Sequence, residues 1–175
     1  YHSNCWGPLG GNAVGVTSIT QLSYMTFCNL EKPLTDISKA GYSGIEIFDG
    51  NLFEYNERLS ELKKMLSNAG LKFVASYSGG NLIFEEIFNE EIDKIKKSIE
   101  VAKELGAEHF VVGGGAKRFN GTKEDDYNKL ADSLNKINSL CEESNLEGHY
   151  HPHLSTIVEG PEEVKKIFGL TSINF

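Results

Sequence analysis

Three of the chain's five histidines stand in one stretch, Gly148-His149-Tyr150-His151-Pro152-His153. Alternation along an extended segment places all three imidazoles on one face, where they suit convergence on a divalent metal or a polyol. Pro152 keeps His151 out of the helical region and holds the end of the segment extended. Glu46 is a second signal, a carboxylate between Ile45 and Ile47 in an otherwise apolar run. An unpaired charge buried in such a run is costly, so the side chain is expected to face a site where catalysis or substrate binding can use it. Against these readings stand plainer ones, a surface histidine cluster and a glutamate in a solvated opening without chemistry.

Other candidates are single residues. Trp6, the one tryptophan, lies beside Gly7 and Pro8, where its face could stack on a sugar ring or pack in the core. Asn4 and Ser76 stand near the ends of apolar runs, Ser76 with Tyr77 and Ser78. Gly113-Gly114-Gly115 lacks the lysine and hydroxyl of a P-loop and is no dinucleotide fingerprint, so no nucleotide cofactor is expected. Lys117, just beyond, could neutralise an anionic group such as a sugar phosphate, the alternative being a plain exposed loop. His109 opens a strand and reads as structural.

The elements that must position these residues alternate regularly. Apolar runs at 44–48, 71–76, 109–112 and 146–151 read as strands. Between them, residues 57–68, 88–105 and 124–144 carry apolar side chains at helical spacing, and Gly70 and Gly106 mark two helix ends. Pro161-Glu162-Glu163 opens a further short helix. Residues 1–6 can form an earlier strand, 32–40 a first helix, 7–27 an irregular insertion, and Ile173-Asn174-Phe175 the start of another strand. Such alternation implies parallel pairing with right-handed crossovers. An open flavodoxin-like sheet of about five strands suits this length, whereas a closed eight-unit barrel typically takes about 250 residues. In both folds ligands gather at the carboxyl ends of the strands, where the polar residues named above are concentrated.

The chain has 175 residues with 17 basic and 25 acidic side chains, a formal charge of −8. No basic face is available for a phosphate backbone, which argues against nucleic-acid partners. No run approaches the roughly 18 apolar residues of a membrane span. Cys5, Cys28 and Cys141 are scattered and odd in number, as expected of free thiols in a reducing, cytoplasmic setting.

Taken together, Gly41-Tyr42-Ser43-Gly44-Ile45-Glu46-Ile47, the unit ending Ala102-Lys103-Glu104-Leu105-Gly106-Ala107, and above all His149-Tyr150-His151-Pro152-His153-Leu154-Ser155-Thr156-Ile157-Val158-Glu159-Gly160-Pro161-Glu162-Glu163 resemble the sugar phosphate isomerase/epimerase family. This is the xylose isomerase-like TIM barrel superfamily, and the last segment is most similar to its inosose dehydratase-like branch. The resemblance implies a (β/α)8 barrel. At about 30 residues per unit, residues 1–175 would form one partial domain holding the first five units and the start of strand six. It also implies a divalent ion (Mn, Mg, Co or Zn) at the barrel mouth and a small sugar or polyol as partner, with a homo-oligomer admissible. Carried over, the family pattern makes His151 a metal ligand and Glu46 and His153 catalytic; Trp6, Asn4, Ser76, His149 and Lys117, from their own positions in the sequence, are the expected substrate contacts. One departure stands out: position 151 holds histidine where many members carry a glutamate ligand. The implied activity is isomerisation or epimerisation by proton abstraction beside a carbonyl, with dehydration or non-catalytic sugar binding as alternatives. An abasic-site nuclease, the superfamily's nucleic-acid branch, fits the charge poorly.

Overall fold

The computed structural model describes residues 1–7 and 23–175, so most of the expected irregular insertion, residues 8–22, lies outside the described residues. The elements run α1 (Glu31–Lys39), β1 (Gly44–Phe48), α2 (Asp49–Phe53), α3 (Leu59–Ala69), β2 (Lys72–Gly80), α4 (Phe88–Glu104), β3 (His109–Gly114), α5 (Glu124–Glu143), β4 (Glu147–His151) and α6 (Pro161–Phe168). The four strands form one parallel sheet in the order β1-β2-β3-β4. His2 pairs in parallel beside Glu46 at one edge, and Asn174 pairs in parallel beside His149 at the other. Six successive strand positions therefore follow chain order. An open doubly wound sheet reverses its order at a switch point, and no reversal occurs here, so the winding is that of a partial (β/α) barrel.

Register fixes which side chains share a face. Glu46 pairs with Ala75, Ala75 with His109, and His109 with Glu147. Their neighbours Ile45, Ile47, Phe73, Phe110, Val112 and Tyr150 point the other way and are buried against the helices. That side holds the core, completed by Leu34 and Ile37 of α1, Leu62 and Leu66 of α3, Ile95 and Ile99 of α4, and Leu130, Leu134 and Ile137 of α5. Fully burying one such side chain contributes about 1.5–3 kcal/mol, so the helical spacing read from sequence is also the main source of cohesion.

Helix ends follow local chemistry. Gly70 closes α3 in the left-handed region, at φ +66°, where only glycine is unstrained. At the other end of a helix, the Asp126 carboxylate accepts the Lys123 N–H at 2.9 Å, and Glu163 does the same for the Gly160 N–H at 3.0 Å.

Three expectations need correction. The first strand shrinks to the bridge at His2, because Ser3–Trp6 forms a 3-10 turn. Strand β2 runs on through Tyr77 and Ser78 to Gly80, and β3 takes in Gly113 and Gly114, where the glycine run suggests a loop. Helix α2 is new; five residues are too few to leave a periodic signal.

Candidate active site at the carboxyl ends of the strands

Glu46 faces the interior from the middle of β1, between two residues that anchor the strand to its helices. Its Oε1 lies 3.6 Å from His2 Nε2. Burial pushes the carboxyl up to about 7 and the imidazole of His2 down to about 4. Both shifts have the same cause, loss of solvation for the charged form. A carboxyl that titrates near neutrality can accept a proton from a carbon acid and return it, the property wanted of a general base.

An aromatic belt leads from this pair across the mouth. His2 packs on Phe48 at 4.1 Å between ring centroids, Phe48 on Tyr77 at 5.4 Å, and Tyr77 on His151 at 5.8 Å. Tyr24 closes against Phe48 and Tyr77 at 5.7 and 5.3 Å. The belt climbs two register positions from His2 to Phe48, stays level to Tyr77, and climbs two more across two strands to His151, as expected when strands are tilted and staggered around a barrel. Two glycines make room for it. A methyl group on Gly113 would sit 2.0 Å from Tyr77 Oη, and one on Gly79 would sit 2.5 Å from the Tyr24 ring. Burial raises the Tyr77 hydroxyl, with the charges of Tyr24 and Glu46 adding to it, so this phenol stays protonated and available as a donor.

The histidine stretch divides into two groups. His151, the last residue of β4, and His153, beyond Pro152 in the following loop, have ring centroids 5.6 Å apart. His153 Nδ1 lies 2.9 Å from the carbonyl oxygen of Leu154. Burial lowers the His151 imidazole, with the charge of His153 adding to the effect, which favours the neutral ring that binds metals. His149 lies deeper, its Nε2 3.0 Å from His109 Nδ1.

The remaining sequence candidates are turned elsewhere. Ser76 has the opposite parity to Tyr77 and meets Ser98 of α4, oxygen to oxygen, at 3.0 Å; Tyr77 takes the interior place instead. Trp6 donates its indole N–H to Asp36 Oδ2 at 2.7 Å and meets the edge of Tyr1, so it braces α1. Lys117 is committed to Glu159 on the next loop. The Asn4 side chain lies outside the described residues. His2, Tyr24 and Phe48 are not among the residues the sequence singles out. Aromatic residues next to glycine-ended strands were the available signal, but their contacts join segments far apart in the chain.

Behind the mouth, Asp49 is fully buried and organises the loops. It accepts from Ser78 Oγ at 2.6 Å and from the Tyr24 N–H at 2.8 Å, and it lies 3.3 Å from Lys94 Nζ. Asn51 pairs with both backbone groups of Thr26, at 2.9 and 2.8 Å. These bonds hold Tyr24 in the belt.

A family model described as xylose isomerase-like TIM barrel matches residues 34–172. The chain belongs to that family. Among curated relatives, "Inosose dehydratase" of Bacillus thuringiensis (strain Al Hakam) is 26% identical over 153 residues, covering 81% of this chain and 50% of the relative. The chain thus spans about half the length of the curated relatives it matches. Among solved structures, a sugar phosphate isomerase/epimerase from Parabacteroides distasonis superposes with a TM-score of 0.60 at 20% identity, over 82% of this chain and 56% of the other. The IOLI protein, crystallised with a bound zinc atom, superposes with a TM-score of 0.63 at 24% identity, over 80% and 52%. In this xylose isomerase-like chain, the donors at the mouth suited to a divalent ion are the imidazoles of His151 and His153. Two nitrogen donors fit the beginning of such a site, which needs at least one or two more.

Proposed function

We propose that this chain forms part of the mouth of a barrel enzyme that isomerises or epimerises a sugar, sugar phosphate or cyclitol by proton abstraction beside a carbonyl. The observation that carries the reading is Glu46: a half-buried carboxyl, pushed up to about 7 by desolvation, facing an aromatic-lined opening that leads to His151. In the ionised state Glu46 takes the proton from the carbon next to the carbonyl. In an isomerisation its protonated form then returns the proton to the neighbouring carbon on the same face, whereas an epimerisation requires a second acid on the opposite face. Tyr77 and the belt exclude water and present flat apolar faces to the C–H side of a ring, as aromatic side chains do for sugars. His153, expected to act on the substrate, is assigned here to the metal beside His151, because its Nδ1 is held by the Leu154 carbonyl and one nitrogen remains.

His151, with His153 beside it, would hold a divalent ion of the Mn, Mg, Co or Zn class. Such an ion supplies polarisation of the substrate carbonyl. The zinc-bearing structural neighbour and the paired imidazoles support this assignment. Dehydration is the second reading, favoured by the inosose dehydratase relatives. There the same abstraction is followed by departure of the hydroxyl on the next carbon as water, the abstracted proton passing to the leaving oxygen. A non-catalytic sugar-binding barrel is a third, favoured by histidine in place of a carboxylate at position 151. A small-molecule rather than a nucleic-acid substrate accords with the −8 charge; among the described residues, no helix is long and apolar enough to cross a membrane.

The test is turnover of a panel of inososes, ketoses and sugar phosphates by the complete protein, with metal titrated in. Enolisation that needs metal and falls by about 10²–10⁴-fold in Glu46→Gln supports the reading. Metal-dependent sugar binding without turnover of any substrate would leave only the binding role.

A further inference from the structure

His149, expected at the substrate, belongs instead to a cluster at the far end of the strands. Its Nε2 lies 3.0 Å from His109 Nδ1 and 3.9 Å from Glu147 Oε2, and His109 Nδ1 lies 3.5 Å from the same oxygen. The three side chains come from neighbouring parallel strands. His109 and Glu147 are register partners at the starts of β3 and β4, and His149 is the next interior residue along β4.

The spacing is that of ligands rather than of a simple pair. Four donors bound tetrahedrally at about 2.0–2.2 Å from one ion lie roughly 3.4 Å from each other. The three atoms here thus outline one face of such a tetrahedron. A hydrogen bond between the imidazoles accounts for the 3.0 Å separation but does not by itself bring the carboxylate to the same point, 3.5 and 3.9 Å from the two nitrogens. A cation among the three serves all of them.

We propose that His109, Glu147 and His149 bind a divalent cation of the zinc class at the amino-terminal end of β3 and β4. The donor set, two imidazoles and one carboxylate, matches that ion's preference and leaves a fourth position for water or another side chain. This site is distinct from the mouth. His149 precedes His151 by two residues and Glu147 precedes it by four, which at about 3.3 Å per residue puts them roughly 7 and 13 Å further down the strand. Neither the sugar chemistry nor the mouth metal is needed for it. Its effect is to clamp β3 to β4, and binding that favours the folded chain raises stability with the logarithm of affinity.

Equilibrium dialysis of the full chain against zinc chloride, with bound metal quantified and thermal unfolding followed in parallel, tests the site. Glu147 is mostly exposed, its side chain 68% accessible, so Glu147→Gln can be made without disturbing the core. That variant and His149→Ala should each weaken zinc binding by at least the roughly tenfold seen when even indirect contacts to a metal are lost. Both should also lose the zinc-dependent rise in Tm. His151→Ala should retain one equivalent of zinc and the rise in Tm. Absence of zinc binding by the wild-type chain, unchanged affinity in Glu147→Gln and His149→Ala, or loss of all zinc in His151→Ala would each overturn the proposal.

Discussion

Desolvation moves Glu46 and His2 in opposite directions, to about 7 and about 4. Between those values both groups are neutral, so their 3.6 Å approach is neither an ion pair nor, at that length, a hydrogen bond. The consequence for stability has a definite sign. An unfolded glutamate titrates near 4.3, so folded Glu46 binds its proton more tightly. Its contribution is fully present below about pH 4.3 and is lost as the pH rises through about 7. Glu46→Gln should therefore gain stability relative to wild type across that interval, measured by urea unfolding at stepped pH. A constant difference would show that burial does not perturb this carboxyl. Gly113 is a second residue-level test. Gly113→Ala would push the Tyr77 ring out of the belt and should cost about 1–3 kcal/mol of overpacking, with weakened ligand binding detectable by titration.

At the scale of elements, the loops behind the mouth hang on one buried acid. Asp49 is fully buried and Lys94 only 11% accessible. Removing one partner of a buried ion pair typically costs about 3–5 kcal/mol, so Asp49→Ala should lower stability by about that amount in denaturant unfolding. The same substitution should loosen residues 23–28, with faster amide exchange at Tyr24 and Thr26. Elements were legible in sequence wherever one face differed from the other. The interior aim of Glu46 follows from its isoleucine neighbours, and α3, α4 and α5 follow from helical spacing. Strand β2 offered no such contrast. Both its faces are buried, Ser76 and Tyr77 are equally plausible inward residues, and a register shift between Ile45 and Glu46 breaks any count carried over from β1. The turn at Ser3–Trp6 likewise hid the indole's hydrogen bond to Asp36. Cysteine burial gives a check on this packing. Cys141 is fully buried on α5 with its thiol pushed up to about 12, whereas Cys5 is exposed. A thiol reagent should modify Cys5 in the native state and Cys141 only on unfolding.

For the molecule as a whole, alternation of strands and helices was enough to give a parallel α/β fold. Length pulled toward an open sheet, and unreversed strand order decides for the barrel. The proposed pair at the mouth could be read only in part. Glu46 and His151 are 105 positions apart in the sequence, and nothing in their spacing shows that Tyr77 links them across the mouth. We propose Glu46 as the group that moves the proton beside the substrate carbonyl. Exchange of that carbon-bound hydrogen with deuterated water, followed by NMR for the complete protein and for Glu46→Gln, measures this step. Exchange should rise with pH through about 7 in the wild type and fall by about 10²–10⁴-fold in Glu46→Gln while ligand binding persists. Undiminished exchange in Glu46→Gln would remove Glu46 from the proton transfer.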